Sequence, residues 1–284
     1  MIIVTGAGGR LGRLVVDQLL DLHPPGEVGV SVRDPGPVAD LERRGVRVRR
    51  GDFADPESLS TAFEGATTVF VVSVNATGGD AVGQHRAAFD AAVAAGAKRI
   101  VYTGHMGADP SSPFAPMPDH AATEAALRDC GIASWTALRN GFYASTVPML
   151  LGGAARTGEL RVPEDGPVAW TTHEDLAAAA ARLLVDDSAE GPTPPLTGPA
   201  AVDMTEVADI VSRLAGRPVR RVVVSGDEYR AGLESAGVPG EAATMLVGMF
   251  EAARRGDFGP ADPALARITG RPATPLQDVL AAAG

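Results

Sequence analysis

Residues 2–20 constrain this chain more tightly than any other stretch. They run Ile2-Ile3-Val4-Thr5, then Gly6-Ala7-Gly8-Gly9-Arg10-Leu11-Gly12, then Leu14, Val15, Val16, Leu19 and Leu20 at helical spacing. An apolar strand passes through a glycine-rich turn into an amphipathic helix, the context in which such a turn signifies a nucleotide site. Gly6 permits the sharp turn, and Gly8 and Gly9 let backbone N–H groups approach a pyrophosphate. Gly12 lets the helix close onto the strand. Arg10 and Leu11 lie in the first helical turn, whose free N–H groups and dipole favour an anion.

From residue 1 to 140, strand-like runs alternate with helical patterns. The strands fall at Ile2–Thr5, Val28–Val32, Val46–Arg49, Val69–Val74, Ile100–Thr103 and Ser134–Leu138, and the helices near 10–22, 37–44, 56–64, 80–95 and 119–130. This alternation predicts an α/β fold built on a Rossmann-type, doubly wound parallel sheet. Asp55 is expected to cap the helix that Pro56 opens, and Gly96 to end the alanine-rich one. After Asn140 the pattern loosens. It reads as a helix near 142–152, a loop over 158–167, a short strand at Val168–Trp170 and an amphipathic helix over Thr172–Val185. Helices near 204–215, 226–236 and 239–255 follow, with a strand at Val219–Val224 between the first two and a tail of short helices over 261–284. We therefore expect a dinucleotide-binding domain over 1–140 and a smaller mixed α/β substrate lobe over 141–284, with segments returning to the main sheet. The ligand belongs in the crevice beyond the strand C-termini.

A formal charge of −10 argues against a nucleic-acid partner. No apolar run approaches a membrane span, and the opening Met1-Ile2-Ile3 carries no basic leader, so a cytoplasmic protein is expected. The single cysteine, Cys130, fits a reducing compartment. Five scattered histidines offer no metal spacing. Lys98 is the one lysine, so any mechanism that needs a lysine has only that residue.

Arg33 ends the second strand, about twenty residues past the glycine turn. An arginine there accommodates the 2′-phosphate of NADP, whereas an acid binds the ribose hydroxyl of NAD. Arg33 follows Val28–Val32 directly, ahead of Asp34, so NADPH is the expected cofactor. Gly51-Asp52-Phe53 puts a carboxylate where it can accept from an adenine amino group, with an aromatic ring beside it. Val72, Ser73 and Val74 end the fourth strand, where small or apolar side chains would line the ribose and nicotinamide half. Thr103, closing the fifth strand, completes the cofactor set.

Short-chain reductases protonate a developing alkoxide with a Tyr-x-x-x-Lys pair on one helix face. The tyrosines here are Tyr102, Tyr143 and Tyr229, followed four residues on by Met106, Val147 and Leu233. The helix that should carry the pair reads instead Asp119-His120-Ala121-Ala122-Thr123-Glu124, with His120 and Glu124 on one face. A histidine can donate a proton near neutrality. Glu124 cannot supply the positive charge that depresses a tyrosine pKa. His105 after the fifth strand and Asn140 after the sixth face the same crevice, and with His120 they form the expected substrate-side set. Phe142 or Tyr143 would wall a flat aromatic ligand. Met245, Leu246, Met249 and Phe250 read either as a homodimer face or as core and pocket wall.

Taken together, Val4–Gly12, Val32-Arg33-Asp34, Gly51-Asp52-Phe53, Val101-Tyr102-Thr103-Gly104, His120–Glu124 and Leu138-Arg139-Asn140-Gly141-Phe142-Tyr143 resemble the NmrA-like, atypical short-chain dehydrogenase/reductase family. Within it the chain looks most like the NADPH-dependent quinone oxidoreductase and triphenylmethane reductase branch. The resemblance spans nearly the whole chain. It departs at Gly8-Gly9-Arg10, where relatives usually carry Thr-Gly-Gln, a change that largely backbone contacts should tolerate. The resemblance implies hydride transfer from NADPH to a quinone or similarly electron-poor conjugated acceptor, a small aromatic substrate. A quinone that accepts hydride becomes a phenolate-like anion whose conjugate acid has a pKa near ~10. Such an anion calls for positioning and tolerant surroundings, not a strong acid. The resemblance also admits a second expectation, an NADP(H)-binding redox sensor that acts through a protein partner without turnover.

Overall fold

The computed structural model describes residues 1–259 and 261–283, so Gly284, the end of the expected second lobe, lies outside the described residues. The first half alternates strand and helix: β1 (Ile2–Thr5), α1 (Arg10–Leu22), β2 (Val28–Val32), α2 (Ala39–Arg43), β3 (Arg47–Arg50), α3 (Pro56–Ala62), β4 (Thr68–Val71), α4 (Gly79–Ala94), β5 (Arg99–His105), α5 (Pro116–Asp129) and β6 (Ser134–Asn140). The second half adds β7 (Phe142–Tyr143), α6 (Val147–Leu151), α7 (Ala154–Thr157), β8 (Glu159–Val162), β9 (Trp170–Thr171), α8 (His173–Val185) and β10 (Gly191–Pro192). It closes with α9 (Met204–Ala215), β11 (Arg220–Val223), α10 (Gly226–Ser235), α11 (Gly240–Arg255), α12 (Ala264–Thr269) and α13 (Leu276–Ala283).

Seven parallel strands form the main sheet in the order β10-β6-β5-β4-β1-β2-β3. The strand order reverses between β1 and β4, which opens a crevice at their C-terminal ends. Both faces are covered, and the period-two alternation of side chains shows how. Ile2, Val4, Phe70 and Val101 point to one face, packed with Val15 and Val16 of α1 and Leu176 and Ala180 of α8. Ile3, Val69, Val71, Ile100 and Tyr102 point to the other, packed with Leu59, Phe89 and Leu127. The second half returns to this layer twice, as α8 against α1 and as β10 beside β6. Thr172 caps α8 by accepting from the Asp175 N–H. A separate core of Leu160, Trp170, Val207, Phe250 and Phe258 lies outside the sheet.

Several local expectations are corrected. The fourth strand ends at Val71, not Val74, because the next three amides bond to side chains instead of a neighbouring strand. The expected loop over 158–167 contains β8, which pairs in parallel with β11. The expected strand at 168–170 is reduced to Trp170–Thr171, paired with β7. The helix expected near 142–152 breaks into β7, a 3-10 turn and the short α6. Asp55 does not cap α3 with its side chain, which pairs with Arg50 at 2.8 Å.

Candidate active site

The glycine turn has the geometry its sequence required. Gly6 has φ +65°, and a Cβ there would lie 3.1 Å from Val72 Cβ, so Val72 sits directly over the turn. A Cβ on Gly12 would lie 2.6 Å from the Gly6 carbonyl carbon, whereas one on Gly8 would meet open space. Gly9 is the N-cap of α1 and carries no side chain to satisfy the free amides, and the first turn holds no acidic residue. An uncapped helix N-terminus beside an open glycine is a cradle for an anion. Leu11 buries its side chain in the core, so only its backbone is available to a ligand. Arg10 is exposed and reaches Glu174 of α8 at 3.0 Å.

The edge residues of the adenosine half lie one strand further out. Arg33 is exposed at the end of β2. Asp34 turns its carboxylate back to accept from the Gly36 N–H at 2.9 Å, so Arg33 remains as the outward-facing group. Asp52 accepts from the Ala54 N–H at 3.0 Å, and half-buried Phe53 packs on the core beneath. Gly51 is required because a Cβ there would collide with the buried Ser31 hydroxyl.

Past Val71 the chain is held by three side chains. The Val72 N–H donates to Thr5 Oγ1 at 2.9 Å and the Ser73 N–H to Thr103 Oγ1 at 2.7 Å. The Val74 N–H donates to His85 Nε2 at 3.0 Å. The Thr103 hydroxyl is therefore occupied by the backbone of Ser73. Ser73 and Val74 then form one wall of a cavity of about 320 Å³.

That cavity opens at the C-terminal end of β4 and β5. Phe114, Phe142, Met149, Met245, Leu246 and Met249 supply its apolar surface, and Tyr102 and His120 its polar end. The methionines of α11 thus line the pocket, and Phe250 is fully buried in the core, which removes the argument for a dimer face. Among the described residues Asp119 is the one carboxylate on the wall, and it accepts from the Gly78 N–H at 2.6 Å.

His120 Nδ1 lies 2.9 Å from the Tyr102 hydroxyl. His105 stacks on His120 at 6.0 Å but is set behind it, edge-on to Phe142 and Phe258 and outside the cavity wall. Asn140 pairs opposite His105 in the sheet and is 2% exposed, and its Oδ1 has no hydrogen-bond partner among the described residues. Glu124, at the position of the absent lysine, is buried against Arg139 at 2.9 Å. It pins α5 to β6 and takes no part in the pocket.

Burial governs the titration of this cluster. Desolvation pushes His120 down to about 4 and His105, with the neighbouring His120, to about 3. It raises the Tyr102 phenol well above its ordinary range. At neutral pH the pocket therefore holds neutral imidazoles and a protonated phenol.

The sequence reading missed two members, Tyr102 and His85. His85 bonds Thr123 Oγ1 at 3.1 Å and meets the Tyr102 ring edge-on at 5.2 Å. One signal was available: His85 stands on the stripe Ala81, His85, Ala88, Phe89, Ala92, the buried face of α4.

With that geometry in hand, the likeness to known proteins is informative. The sequence signature of the NmrA-like family matches residues 1–272. Quinone oxidoreductase 2 of Escherichia coli (strain K12) is 33% identical over 279 residues, covering 98% of this chain and 96% of that protein. The crystal structure of the NADPH-dependent quinone oxidoreductase QOR2 from Escherichia coli complexed with NADPH superposes with a TM-score of 0.94 at 32% identity, covering 100% of this chain and 99% of that one. The Citrobacter sp. triphenylmethane reductase complexed with NADP(H) gives 0.91 at 32% identity, covering 100% of both chains.

Proposed function

The chain belongs to the NmrA-like family, and from that premise we propose that it is an NADPH-dependent reductase that passes hydride to a quinone or a similarly electron-poor conjugated acceptor. The observation that carries this reading is the apolar, aromatic cavity whose polar end is a neutral histidine bonded to a buried tyrosine. Simple ketone reduction needs an acid to quench a strongly basic alkoxide, and no lysine-assisted tyrosine is present to serve. A quinone leaves a delocalised anion that a hydrogen-bond donor suffices to stabilise.

Among the residues, Gly8, Gly9 and the first N–H groups of α1 would hold the pyrophosphate, with Arg10 at its side. Arg33 would face the 2′-phosphate, and Asp52 and Phe53 the adenine. Val72, Ser73 and Val74 would bound the inner half. The uncapped N-terminus of α1 fits that ligand, because it offers unmet N–H donors beside the open face of Gly8. NADPH, when bound, supplies the hydride. The protein's own contribution is to orient a flat acceptor between Phe142 and the α11 methionines. Asn140 and His120 hold its polar edge, and His105 backs the His120 ring.

The reading is tested by following NADPH and NADH loss with and without small quinones. Quinone-dependent oxidation of NADPH is expected, and tight binding without turnover on any acceptor would defeat the proposal. In the same assay Arg33→Ala should weaken NADPH about 10- to 100-fold, the loss of one or two charge-assisted hydrogen bonds. Binding of NADH should change by less than about threefold, since it lacks the phosphate.

The wall also sets a charge preference. It carries Asp119 and no arginine or lysine among the described residues. A sulfonated naphthoquinone should therefore show a kcat/KM roughly tenfold or more below its uncharged parent, mostly through KM. Equal values for the two would place the acceptor elsewhere.

A further inference from the structure

At the polar end of the cavity two hydrogen-bonded pairs stand side by side, His85 with Thr123 and Tyr102 with His120. The Val74 amide can only donate, so His85 Nε2 must accept. The His85 proton then sits on Nδ1 and is donated to Thr123 Oγ1 at 3.1 Å. Beside this pair the His85 ring meets the Tyr102 ring edge-on at 5.2 Å. The Tyr102 phenol is buried and stays protonated, and its hydrogen-bond partner is His120 Nδ1 at 2.9 Å, so the phenol hydrogen goes to that nitrogen. With Nδ1 accepting, a neutral His120 carries its proton on Nε2.

Resting on the reductase reading, we propose that Tyr102, braced by the His85 ring that Thr123 orients, is a positioning residue that holds His120 in the Nε2–H tautomer, so that it presents a fixed N–H donor to the acceptor oxygen that becomes an anion on reduction. The same logic reaches His105 separately, because its Nδ1 accepts from the Gly107 N–H at 3.1 Å. The arrangement orients and does not conduct. The Tyr102 phenol is fully buried and burial disfavours its anion, so it has no proton to pass on, and His120 donates a hydrogen bond and keeps its hydrogen. A dipole fixed before reaction costs no reorganisation when charge appears, which is the benefit of such an arrangement. It also accounts for a buried histidine and a buried threonine, on two different helices, beside the Tyr102 ring.

The test is a long-range proton–nitrogen NMR spectrum of the full chain with NADPH bound and histidine rings labelled with nitrogen-15. His120 is expected with its proton on Nε2 and His85 with its proton on Nδ1. Tyr102→Phe removes the partner of His120 Nδ1, so its resonances should move to a tautomer mixture. The kcat should drop about tenfold, a fraction of the cost of losing an oxyanion donor outright, while the acceptor KM stays within about twofold. Thr123→Val should shift the His85 resonances, and Thr123→Ser should restore them, which a purely steric role would not do. A His120 proton on Nδ1 in the unaltered protein, or a Tyr102→Phe protein with unchanged His120 resonances, overturns the proposal. Brisk quinone reduction alongside the wrong tautomer overturns this inference and spares the reductase reading. The expected tautomers with no turnover on any acceptor overturn that reading, and the catalytic use of the donor falls with it.

Discussion

Gly12→Ala should cost the protein both its cofactor and much of its rigidity. The added Cβ would meet the Gly6 carbonyl, with its carbon only 2.6 Å away, and Gly6 is itself confined by Val72. These are backbone atoms in a turn closed by the Gly9 N–H to Gly6 carbonyl bond at 2.9 Å, so no side chain can swing aside. Either α1 retreats from β1 or the turn opens. Overpacking of this kind costs about 1–3 kcal/mol, and any retreat moves the helix N-terminus from the anion. Denaturant unfolding should show that loss, and calorimetric titration should show NADPH affinity lower by roughly 100-fold, the scale of two charge-assisted hydrogen bonds. Gly8→Ala is the companion experiment. Its Cβ meets nothing within 4 Å, so stability should hold within about 1 kcal/mol while cofactor affinity falls. Gly12→Ala with unaltered affinity would refute the role given to the turn.

Acid should unfold the protein well above the range in which carboxylates titrate. Burial lowers His85 to about 4, His120 to about 4 and His105 to about 3, against an ordinary value of 6.5. His173 is lowered as well. Between 6.5 and about 4 the unfolded chain binds protons that the folded chain refuses, so stability is complete above that window and declines as pH falls through it. At pH 5 each of these three histidines, His85, His120 and His105, withdraws on the order of 2 kcal/mol, against a total stability of about 5–15 kcal/mol for a typical domain. Urea midpoints measured at pH 7.5, 6 and 5 should fall steeply. A flat profile from 7.5 to 5 would show that these rings are solvated in solution.

The parts of this molecule that were legible in the sequence are those governed by local rules. β1, α1 and β2 occupy their expected residues because an apolar strand, a glycine turn and a helical stripe each declare themselves within a few positions. The doubly wound sheet follows from their repetition. The end of β4 was not legible, since whether Val72, Ser73 and Val74 pair with a strand depends on Thr5, Thr103 and His85, all distant in sequence. β8 was hidden for a related reason: its partner, β11, lies about sixty residues later, at an interval no periodicity encodes. In the pocket, His120 stood out by position. The partner of His120, Tyr102, entered the sequence analysis only as a tyrosine with no lysine four residues on, and only the fold brings the two within 2.9 Å. The role expected of Glu124 as a mere replacement for lysine was incomplete, because its pairing with Arg139 is a long-range contact as well.

The side-chain tethers beyond β4 have a consequence for how such a pocket can diversify. The sheet ends its own hydrogen bonding at Val71, and the three amides that follow are anchored to Thr5, Thr103 and His85. Everything from Asn75 to Gly79 is thus spliced onto a fixed mounting rather than continuous with the sheet's register. Insertions, deletions or wholesale replacement there would alter the mouth of the cavity without transmitting a shift to β1 or β5. The scaffold keeps its cofactor cradle while its outer wall remains an exchangeable part.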